Sequence, residues 1–298
     1  MKKRWILNLI LLVVVAGLVS FLYMRPKQEA ARDEGYEVSA YKLAEFNAIK
    51  VEFPASAAVT FEKVNGYWHM TGPYKTRADQ ASVQRILTIV AANSREKIVT
   101  NDLEKFGLNQ PSIKLTLYRD ENNSEEFLFG TYNPLTDQQY IYHRNAVYLI
   151  SNDYGAAAST QVIELVDKAP LSPAEKVAGF DLSRLEQWED SRLNLDLVDG
   201  NWKVSIQKAK PTQNELNEWA DFSWVHTRAK SVEFYTPDRK VTYPSLVVKL
   251  ADGKKVHFDK IQESPELILA RPDEGIMYYF PQDEGFVMLN PPINLPSK

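Results

Sequence analysis

The sequence V-N-G-Y-W at residues 64–68 returns as V-D-G-N-W at residues 198–202. Each copy places Asn-Gly or Asp-Gly between a stretch with apolar residues and a tryptophan. These dipeptides favour a type I′ turn, which needs positive φ at both central residues and joins two antiparallel strands. The sequence therefore predicts a β-hairpin in each half of the chain, with Trp68 and Trp202 as core side chains just beyond the turns.

A helix is predicted after each hairpin. Asp79 or Ser82 could cap the first helix, and Thr212 could cap the second. Apolar residues recur at helical spacing in both segments, which indicates one buried stripe per helix. The predicted stripes are Val83, Ile86, Leu87 and Val90 in the first segment, and Leu216, Trp219, Phe222 and Val225 in the second.

Antiparallel strands are predicted downstream of both helices. After Pro111 and after Pro244, apolar residues alternate with polar ones, which is the period of a half-buried strand. The inward positions are Ile113, Leu115, Leu117, Leu246, Val248 and Leu250. Further strands are predicted at 127–129, 140–142, 147–150, 256–258, 267–269, 277–280 and 286–289, and a helix at 154–166.

The segments before the hairpins also correspond, at residues 40–53 and 179–189, with Tyr41 opposite Phe180. We therefore predict an α+β fold: a tandem duplicated module of antiparallel β-meander with one main packing helix per copy. A single N-terminal transmembrane helix precedes the two copies. The predicted divisions are an anchor at 1–27, a tether at 28–39, a first repeat at 40–167, a linker at 168–173, a second repeat at 174–290 and a proline-rich, extended or frayed tail at 291–298.

Residues 5–24 form an almost uninterrupted apolar segment that follows Lys2, Lys3 and Arg4. A helix of this length spans ~30 Å, the thickness of the hydrocarbon core of a bilayer. The basic head favours a cytoplasmic N-terminus. We expect a single-pass protein of the bacterial inner (cytoplasmic) membrane with a periplasmic or other extracytoplasmic body. The alternative is a cleaved signal peptide, although the segment is longer than usual and residues 17–20 make a poor cleavage site.

The charge distribution and the missing catalytic and metal-binding motifs argue against several classes of function. Five of the 35 Lys and Arg residues, and none of the 39 Asp and Glu residues, lie in residues 1–27. The remaining body is acidic and would repel phosphate backbones, so we expect no nucleic-acid binding. There is no cysteine. We predict no catalytic, cofactor-binding or metal-binding residues, because the four histidines lack zinc-site spacing and no nucleophile-elbow, phosphate-loop or dinucleotide motif occurs. His69 and His143 are expected on exposed strand faces.

Tyrosines are the most suggestive polar feature. Tyr140 and Tyr142 share a face of one predicted strand, and Tyr278 and Tyr279 are adjacent on another. Exposed tyrosines could bind a peptide, a sugar or a protein partner. Strand alternation places about half of the tyrosines in the core. These four residues are therefore the predicted partner or ligand surface.

Several segments together resemble a bacterial family of domains of unknown function, number four-three-four-zero. They are V-N-G-Y-W-H-M-T-G-P at 64–73, R-A-D-Q-A-S-V-Q-R-I-L at 77–87, D-L-E-K-F-G-L-N-Q-P-S-I-K-L-T-L at 102–117, F-L-F-G-T at 127–131 and N-A-V-Y-L-I at 145–150. The resemblance covers most of 41–151 clearly and 180–290 weakly. Thr131 replaces the usual acid or lysine, and the second half lacks the Gly-Leu step. Gly107 is expected to end a short helix with positive φ.

The resemblance implies a protein held by one N-terminal segment and often encoded beside ABC-type export systems of the gliding-motility kind. It implies no catalytic residues. We therefore expect a non-enzymatic accessory or scaffold subunit of an ABC-type transport or envelope assembly, with membrane partners such as an ABC permease and its associated subunits. The alternatives are a periplasmic glycan- or peptide-binding module that uses the exposed tyrosines, and a hydrolase with a site spread over both copies.

Overall fold

The computed structural model describes residues 35–238 and 240–294. These residues form a 9-stranded sheet, an 8-stranded sheet and a small 2-stranded sheet, with a few short helices. The paired strands are antiparallel throughout. The described chain is therefore mostly β-sheet with helices packed on it, in agreement with the predicted α+β class.

The first half contains eleven strands and two α-helices among the described residues. The strands are β1 (Tyr36–Glu37), β2 (Ala48–Phe53), β3 (Ser56–Val64), β4 (Tyr67–Gly72), β5 (Thr76–Arg77), β6 (Asn93–Ser94), β7 (Lys97–Ile98), β8 (Ile113–Tyr118), β9 (Ser124–Asn133), β10 (Gln138–His143) and β11 (Ala146–Ser151). The helices are α1 (Gln80–Leu87) and α2 (Asp153–Ala158), with 3-10 turns at Leu43–Glu45, Thr88–Ala91, Glu104–Phe106 and Val162–Leu165.

The second half contains eight strands and two α-helices in the part of the chain that is described. The strands are β12 (Val177–Arg184), β13 (Asn194–Val198), β14 (Asn201–Val204), β15 (Ser231–Phe234), β16 (Ser245–Leu250), β17 (Lys255–Gln262), β18 (Glu266–Arg271) and β19 (Ile276–Pro281). The helices are α3 (Gln213–Ala220) and α4 (Gln282–Leu289), with a 3-10 turn at Glu186–Trp188 and a π-helical turn at Asp221–Val225.

The two large sheets are connected in the same order. The first sheet runs β5-β4-β3-β2-β8-β9-β10-β11-β7, and the second runs β14-β13-β12-β16-β17-β18-β19-β15. In both sheets a hairpin is followed by a helix and a distant edge strand, and then by a four-stranded meander. A short helix closes each meander, α2 after β11 and α4 after β19.

Both predicted hairpin turns are present. Asn65 and Gly66 have φ of 51° and 86°, and Asp199 and Gly200 have φ of 51° and 77°, which is the type I′ pattern. The turn tip at Gly66 is open, since an added Cβ there would meet nothing within 4 Å. These turns set the register that places the two tryptophans on the inner face.

Each hairpin is joined to its helix by a glutamine. The backbone N–H of Trp68 donates to the side-chain oxygen of Gln80 at 2.8 Å, and the Gln80 amide donates to the Trp68 carbonyl at 3.0 Å. Trp202 and Gln213 make the same pair of bonds, at 2.6 and 3.0 Å. In both cases the glutamine is the first residue of the helix, so one side chain fixes the start of the helix against the hairpin.

The core follows the predicted alternation. Trp68 and Trp202 are buried, as are all six inward positions of β8 and β16 and the entire predicted stripe of the first helix. The caps also agree, since Asp79 accepts from the backbone of Ser82, and Thr212 forms a capping box with Glu215. Gly107 has φ of 66° and ends a 3-10 turn, as expected.

The stripe predicted for the second helix is wrong in its second half. Leu216 and Trp219 are buried, but Phe222 and Val225 are exposed, and Ser223 and Trp224 take the inward positions instead. The buried positions are Leu216, Trp219, Ala220, Ser223 and Trp224, which recur at the i, i+3, i+4, i+7 and i+8 spacing of one helical face. The predicted spacing of three residues at every step drifts off this face, because a helix has about 3.6 residues per turn.

The strand predicted at 286–289 is also wrong, because this segment lies in α4. The helix packs so closely on β18 that a Cβ on Gly285 would lie 2.3 Å from the Cβ of Leu267, closer than atoms can approach. Three indole N–H groups donate to the carbonyls of its last turn. The bonds are Trp219 to Val287 at 2.7 Å, Trp224 to Met288 at 3.3 Å and Trp188 to Leu289 at 2.9 Å.

Two further expectations need correction. Strand pairing places Ile49 between Phe61 and Leu117, and it places Phe180 between Leu195 and Val248. By strand order, β12 with Phe180 takes the place in its sheet that β2 takes in the other, and Tyr41 precedes β2, so Tyr41 is not opposite Phe180. The helix predicted at 154–166 is divided into α2 and the 3-10 turn Val162–Leu165, because hydroxyl groups at the end of α2 bond back to Ala156.

The predicted anchor at residues 5–24 lies outside the described residues. Within residues 35–238 and 240–294, none of the helices has the length and apolar character needed to cross a bilayer. The end of the predicted tether joins the fold, because β1 pairs with β6 and Val38 is buried. Ile293, in the predicted tail, is buried as well.

Candidate functional site

A buried charge network lies where the two halves of the chain meet. Arg77, in edge strand β5, is 8% exposed. Its guanidinium donates to both carboxylate oxygens of Glu274, at 2.7 and 3.1 Å, and to Asp167 at 2.8 Å. It also donates to the carbonyl of Ala169 at 2.6 Å and to the hydroxyl of Tyr278 at 3.1 Å. One side chain of the first half therefore contacts both the linker and the β18–β19 turn.

Arg271 continues this network from the second half. It donates to both carboxylate oxygens of Glu175, at 2.9 and 2.5 Å, and to the carbonyl of Pro170 at 2.9 Å. It also pairs with Asp273 and lies 3.5 Å from Glu274. The linker is thus held between two buried arginines, one from each half. We call Arg77, Asp167, Glu175, Arg271 and Glu274 the junction network.

Burial and pairing with arginine have opposite effects on the pKa values of the carboxylates in the junction network. Burial raises the pKa of Asp167, and attraction to Arg77 offsets part of that shift. Burial alone would raise the pKa of Glu175, but its hydrogen bonds with Arg271 bring it below the ordinary value. Burial and the charge of Glu274 raise the pKa of Tyr278. Buried charges persist when they are paired and hydrogen-bonded, and here each guanidinium faces carboxylates and backbone carbonyls.

Two outer contacts reinforce the same junction. Arg228 donates to Asp79 at 2.8 Å and lies 3.4 Å from Asp167. The rings of Tyr74 and Phe234 stack with centroids 3.6 Å apart and an interplanar angle of 22°. The two halves are therefore joined by charge pairs, by hydrogen bonds from arginine side chains to linker carbonyls, and by an aromatic stack.

The structure distributes the four predicted tyrosines over two sheets. Tyr140 and Tyr142 are half-buried on one face of β10, where Tyr140 packs edge-on against Phe106 and the hydroxyl of Tyr142 bonds to Asn145 at 3.1 Å. Tyr279 is half-buried on β19 and its hydroxyl donates to Glu233 at 2.9 Å.

Tyr278 requires a correction. Its side chain is 0% exposed, because strand alternation turns it into the core. Its hydroxyl donates to Glu274 at 3.0 Å and accepts from Arg77. Tyr278 is therefore part of the junction and not of an exposed surface.

His143 also differs from its predicted exposed position. It is 1% exposed, and its ring stacks on Phe127 with centroids 4.3 Å apart. Its Nδ1 donates to the carbonyl of Glu126 at 2.8 Å, since a carbonyl can only accept. Its Nε2 lies 3.4 Å from Glu125 and has no hydrogen-bond partner in the described part of the chain. Burial lowers the pKa of His143.

An open cleft of about 230 Å³ adjoins this histidine. Arg144 closes one side and pairs with both oxygens of Glu125, at 2.9 and 2.6 Å. His143 lines this cleft although only 1% of its surface is exposed, whereas the Arg144 side chain is 54% exposed. Among the described residues, no group of three or more His, Cys, Asp or Glu side chains is arranged to hold a metal ion.

Sequence reasoning did not identify the arginines of the junction network. Arg271 did leave a signal, because it shares the inward parity of Leu267 and Leu269 on β18. A charged residue at an inward strand position implies a buried partner. Arg77 left no comparable signal, since β5 is two residues long.

A family model described as "Domain of unknown function (DUF4340)" matches residues 68–244, which is more than half of the chain. The chain belongs to this family. The DUF4340 match begins at Trp68 and continues through the linker into the second half, so it includes Arg77, Asp167 and Glu175 of the junction network. No curated protein and no solved structure matches the chain significantly.

Proposed function

We propose that this DUF4340 chain is a non-enzymatic, membrane-anchored accessory or scaffold subunit of an ABC-type transport or envelope assembly. The observation that carries the proposal is the junction network. Separate domains of one chain move relative to each other by default, unless their interface is large and hydrophobic. In this chain the buried apolar side chains of both halves belong to one continuous cluster. Here Arg77 and Arg271 hold the linker from both sides through buried charge-assisted bonds. The body can therefore present its surfaces to partners at a fixed relative angle.

The proposal includes a body built from a duplicated module. The common strand order of the two large sheets supports duplication. So does the glutamine that joins helix and hairpin in each half, through Trp68 and Gln80 and again through Trp202 and Gln213. A scaffold of this type offers two related but distinct surfaces to an assembly.

The proposed anchor is the apolar segment at residues 5–24, with its basic head in the cytoplasm. Anchoring raises the effective concentration of the body near membrane partners. The ABC-type assembly follows from what the family resemblance implies. Outside residues 1–27 the chain has more acidic than basic residues, which disfavours contact with anionic lipid headgroups and makes proteins the proposed partners.

Isolation from native membranes in mild detergent tests this function. We expect permease components to co-purify with the full chain and to be lost when residues 1–27 are replaced by a cleavable signal peptide. The matched control replaces residues 5–24 with an unrelated transmembrane segment, which should retain the partners. If no membrane protein co-purifies with the full chain, or if a purified sample turns over a substrate, the scaffold proposal fails.

A further inference from the structure

Two adjacent helical segments of the second half expose large apolar side chains. Phe222 and Val225 lie on the π-helical turn, and Phe286 and Val287 lie on α4. The two phenylalanines are 69% and 61% exposed. The segments lie side by side, because Trp224 of the π-helical turn donates to the carbonyl of Met288 in α4 at 3.3 Å. We call Phe222, Val225, Phe286 and Val287 the helical patch.

The fold does not need these side chains. The contact between the two segments and the sheet is made by other residues, which are fully or nearly buried: Leu216, Trp219, Trp224, Met288 and Leu289. Phe222 and Val225 face outward on the same helical turn on which Trp224 faces inward. A folded chain has no intramolecular reason to leave two phenylalanines in water on neighbouring helices.

The corresponding helix of the first half provides an internal comparison. This helix is α1, and its exposed residues are Ala81, Gln84 and Arg85. The helix following its meander, α2, exposes the small residue Ala156. Large exposed apolar side chains on these two helices are therefore a feature of the second half and not of the architecture that the halves have in common.

The helical segments that carry the patch have acidic side chains and no basic ones, and the next Arg and Lys along the chain, Arg228 and Lys230, are paired with carboxylates of other segments. Residues 213–225 and 282–290 contain no Lys or Arg. Their acids are Glu215, Glu218, Asp221, Asp283 and Glu284. An apolar centre with an acidic rim attracts a surface that has apolar residues flanked by basic ones.

We propose that the helical patch docks an amphipathic segment of a partner protein whose apolar stripe is flanked by Lys and Arg. This inference rests on the proposed scaffold function and names the docking surface and the chemistry of the partner. A second copy of this chain would bring acidic rims against each other, which is repulsive. Anionic lipid headgroups would be repelled by the same rim. Side chains that pack into a groove at i, i+3 and i+4 spacing are a common mode of such recognition.

A binding measurement on the full chain in mild detergent tests the proposal. The probes are a fluorescent helical peptide of Leu and Lys and its charge-reversed Leu and Glu counterpart. We expect the Lys peptide to bind, the Glu peptide not to bind, and added salt to weaken binding. The variant Phe222→Ser/Phe286→Ser should weaken binding by about tenfold or more, since central aromatic contacts supply most of the affinity of such interfaces.

The control variant Leu135→Ser/Val99→Ser removes two exposed apolar side chains from the first half. It should bind the Lys peptide as tightly as the unmodified chain. Thermal unfolding of both variants should match that of the unmodified chain, because the altered side chains are exposed. The proposal is overturned if the two peptides bind equally, if the Lys peptide does not bind, or if the patch variant keeps full affinity. Patch-dependent dimerisation or patch-dependent binding to vesicles of anionic lipid would also overturn it.

The same variants separate this inference from the proposed function. If permease components co-purify with both the unmodified chain and the patch variant, the docking surface is wrong and the scaffold function stands. If they co-purify with neither, the scaffold function fails whatever the peptides do. We expect co-purification to be lost with the patch variant and retained with the control variant.

Discussion

Removal of the Arg77 side chain should destabilise the whole body. Arg77→Met keeps most of the side-chain length but removes the bonds with Glu274, Asp167, the Ala169 carbonyl and Tyr278. The carboxylates of Glu274 and Asp167 have side-chain exposures of only 14% and 13%, so water cannot replace the guanidinium. Loss of one partner from a buried ion pair costs about 3–5 kcal/mol.

Thermal unfolding followed by circular dichroism measures this effect. A chain of this size loses about 2–4 °C in Tm per kcal/mol, so we expect a decrease on the order of 10 °C. Glu274→Gln should restore part of the loss in the Arg77→Met background, because it removes one uncompensated charge. The control is Lys114→Met, which breaks the exposed pair of Lys114 and Glu126 and should cost less than about 1 kcal/mol.

Two results would refute this reasoning. One is an Arg77→Met chain that unfolds within about 1 kcal/mol of the Lys114→Met chain, since the buried network would then contribute no more than a surface pair. The other is strict additivity of Arg77→Met and Glu274→Gln, since two groups in direct contact must couple. Either result would remove the support that the junction network gives to a fixed angle between the halves.

Three further predictions concern single positions. Gln80→Ala and Gln213→Ala each remove two hydrogen bonds to the backbone of a buried tryptophan. Each variant should lower the free energy of unfolding by about 1–3 kcal/mol, measured by chemical denaturation. If only one of the two variants is destabilised, the two glutamines do not have equivalent roles. Gly107→Ala should lower the Tm more than Gly66→Ala, although both glycines have positive φ. A Cβ at Gly107 would lie 2.4 Å from the hydroxyl of Thr131, whereas a Cβ at Gly66 would meet nothing within 4 Å. Equal Tm values for the two variants would contradict this. Because burial lowers the pKa of His143 from its ordinary 6.5, the unfolded chain binds this proton more readily, so the free energy of unfolding should decrease as the pH falls below about 6.5. His143→Asn keeps a donor for the neighbouring carbonyl and should flatten that part of the stability curve, whereas an unchanged slope would assign it to other groups.

Local patterns were sufficient for most of the sheet. The turn dipeptides Asn65-Gly66 and Asp199-Gly200 need positive φ, and the alternation after Pro111 and Pro244 assigns inward and outward faces. These conformational preferences act over a few residues, and the folded chain keeps the local structure that they favour. Helix caps at Asp79 and Thr212 are local for the same reason.

Failures of prediction occurred where distant residues decide the conformation. The segment that contains Phe286 reads as a strand, but tryptophans far away in the sequence hold it as a helix through its last carbonyls. The candidate site was missed for a similar reason, because Arg77 and Glu274 meet across a sequence separation of 197 residues.

The sequence by itself determined that this chain forms paired hairpins, helices with defined caps and antiparallel meanders, and that it carries an apolar segment of membrane-spanning length. Short-range backbone preferences and hydrophobic periodicity are sufficient for these features. Only the tertiary structure decided which tyrosines are buried and how the two halves are joined. Those features depend on the pairing of buried charges and polar groups, because such groups must find partners wherever the folded chain places them.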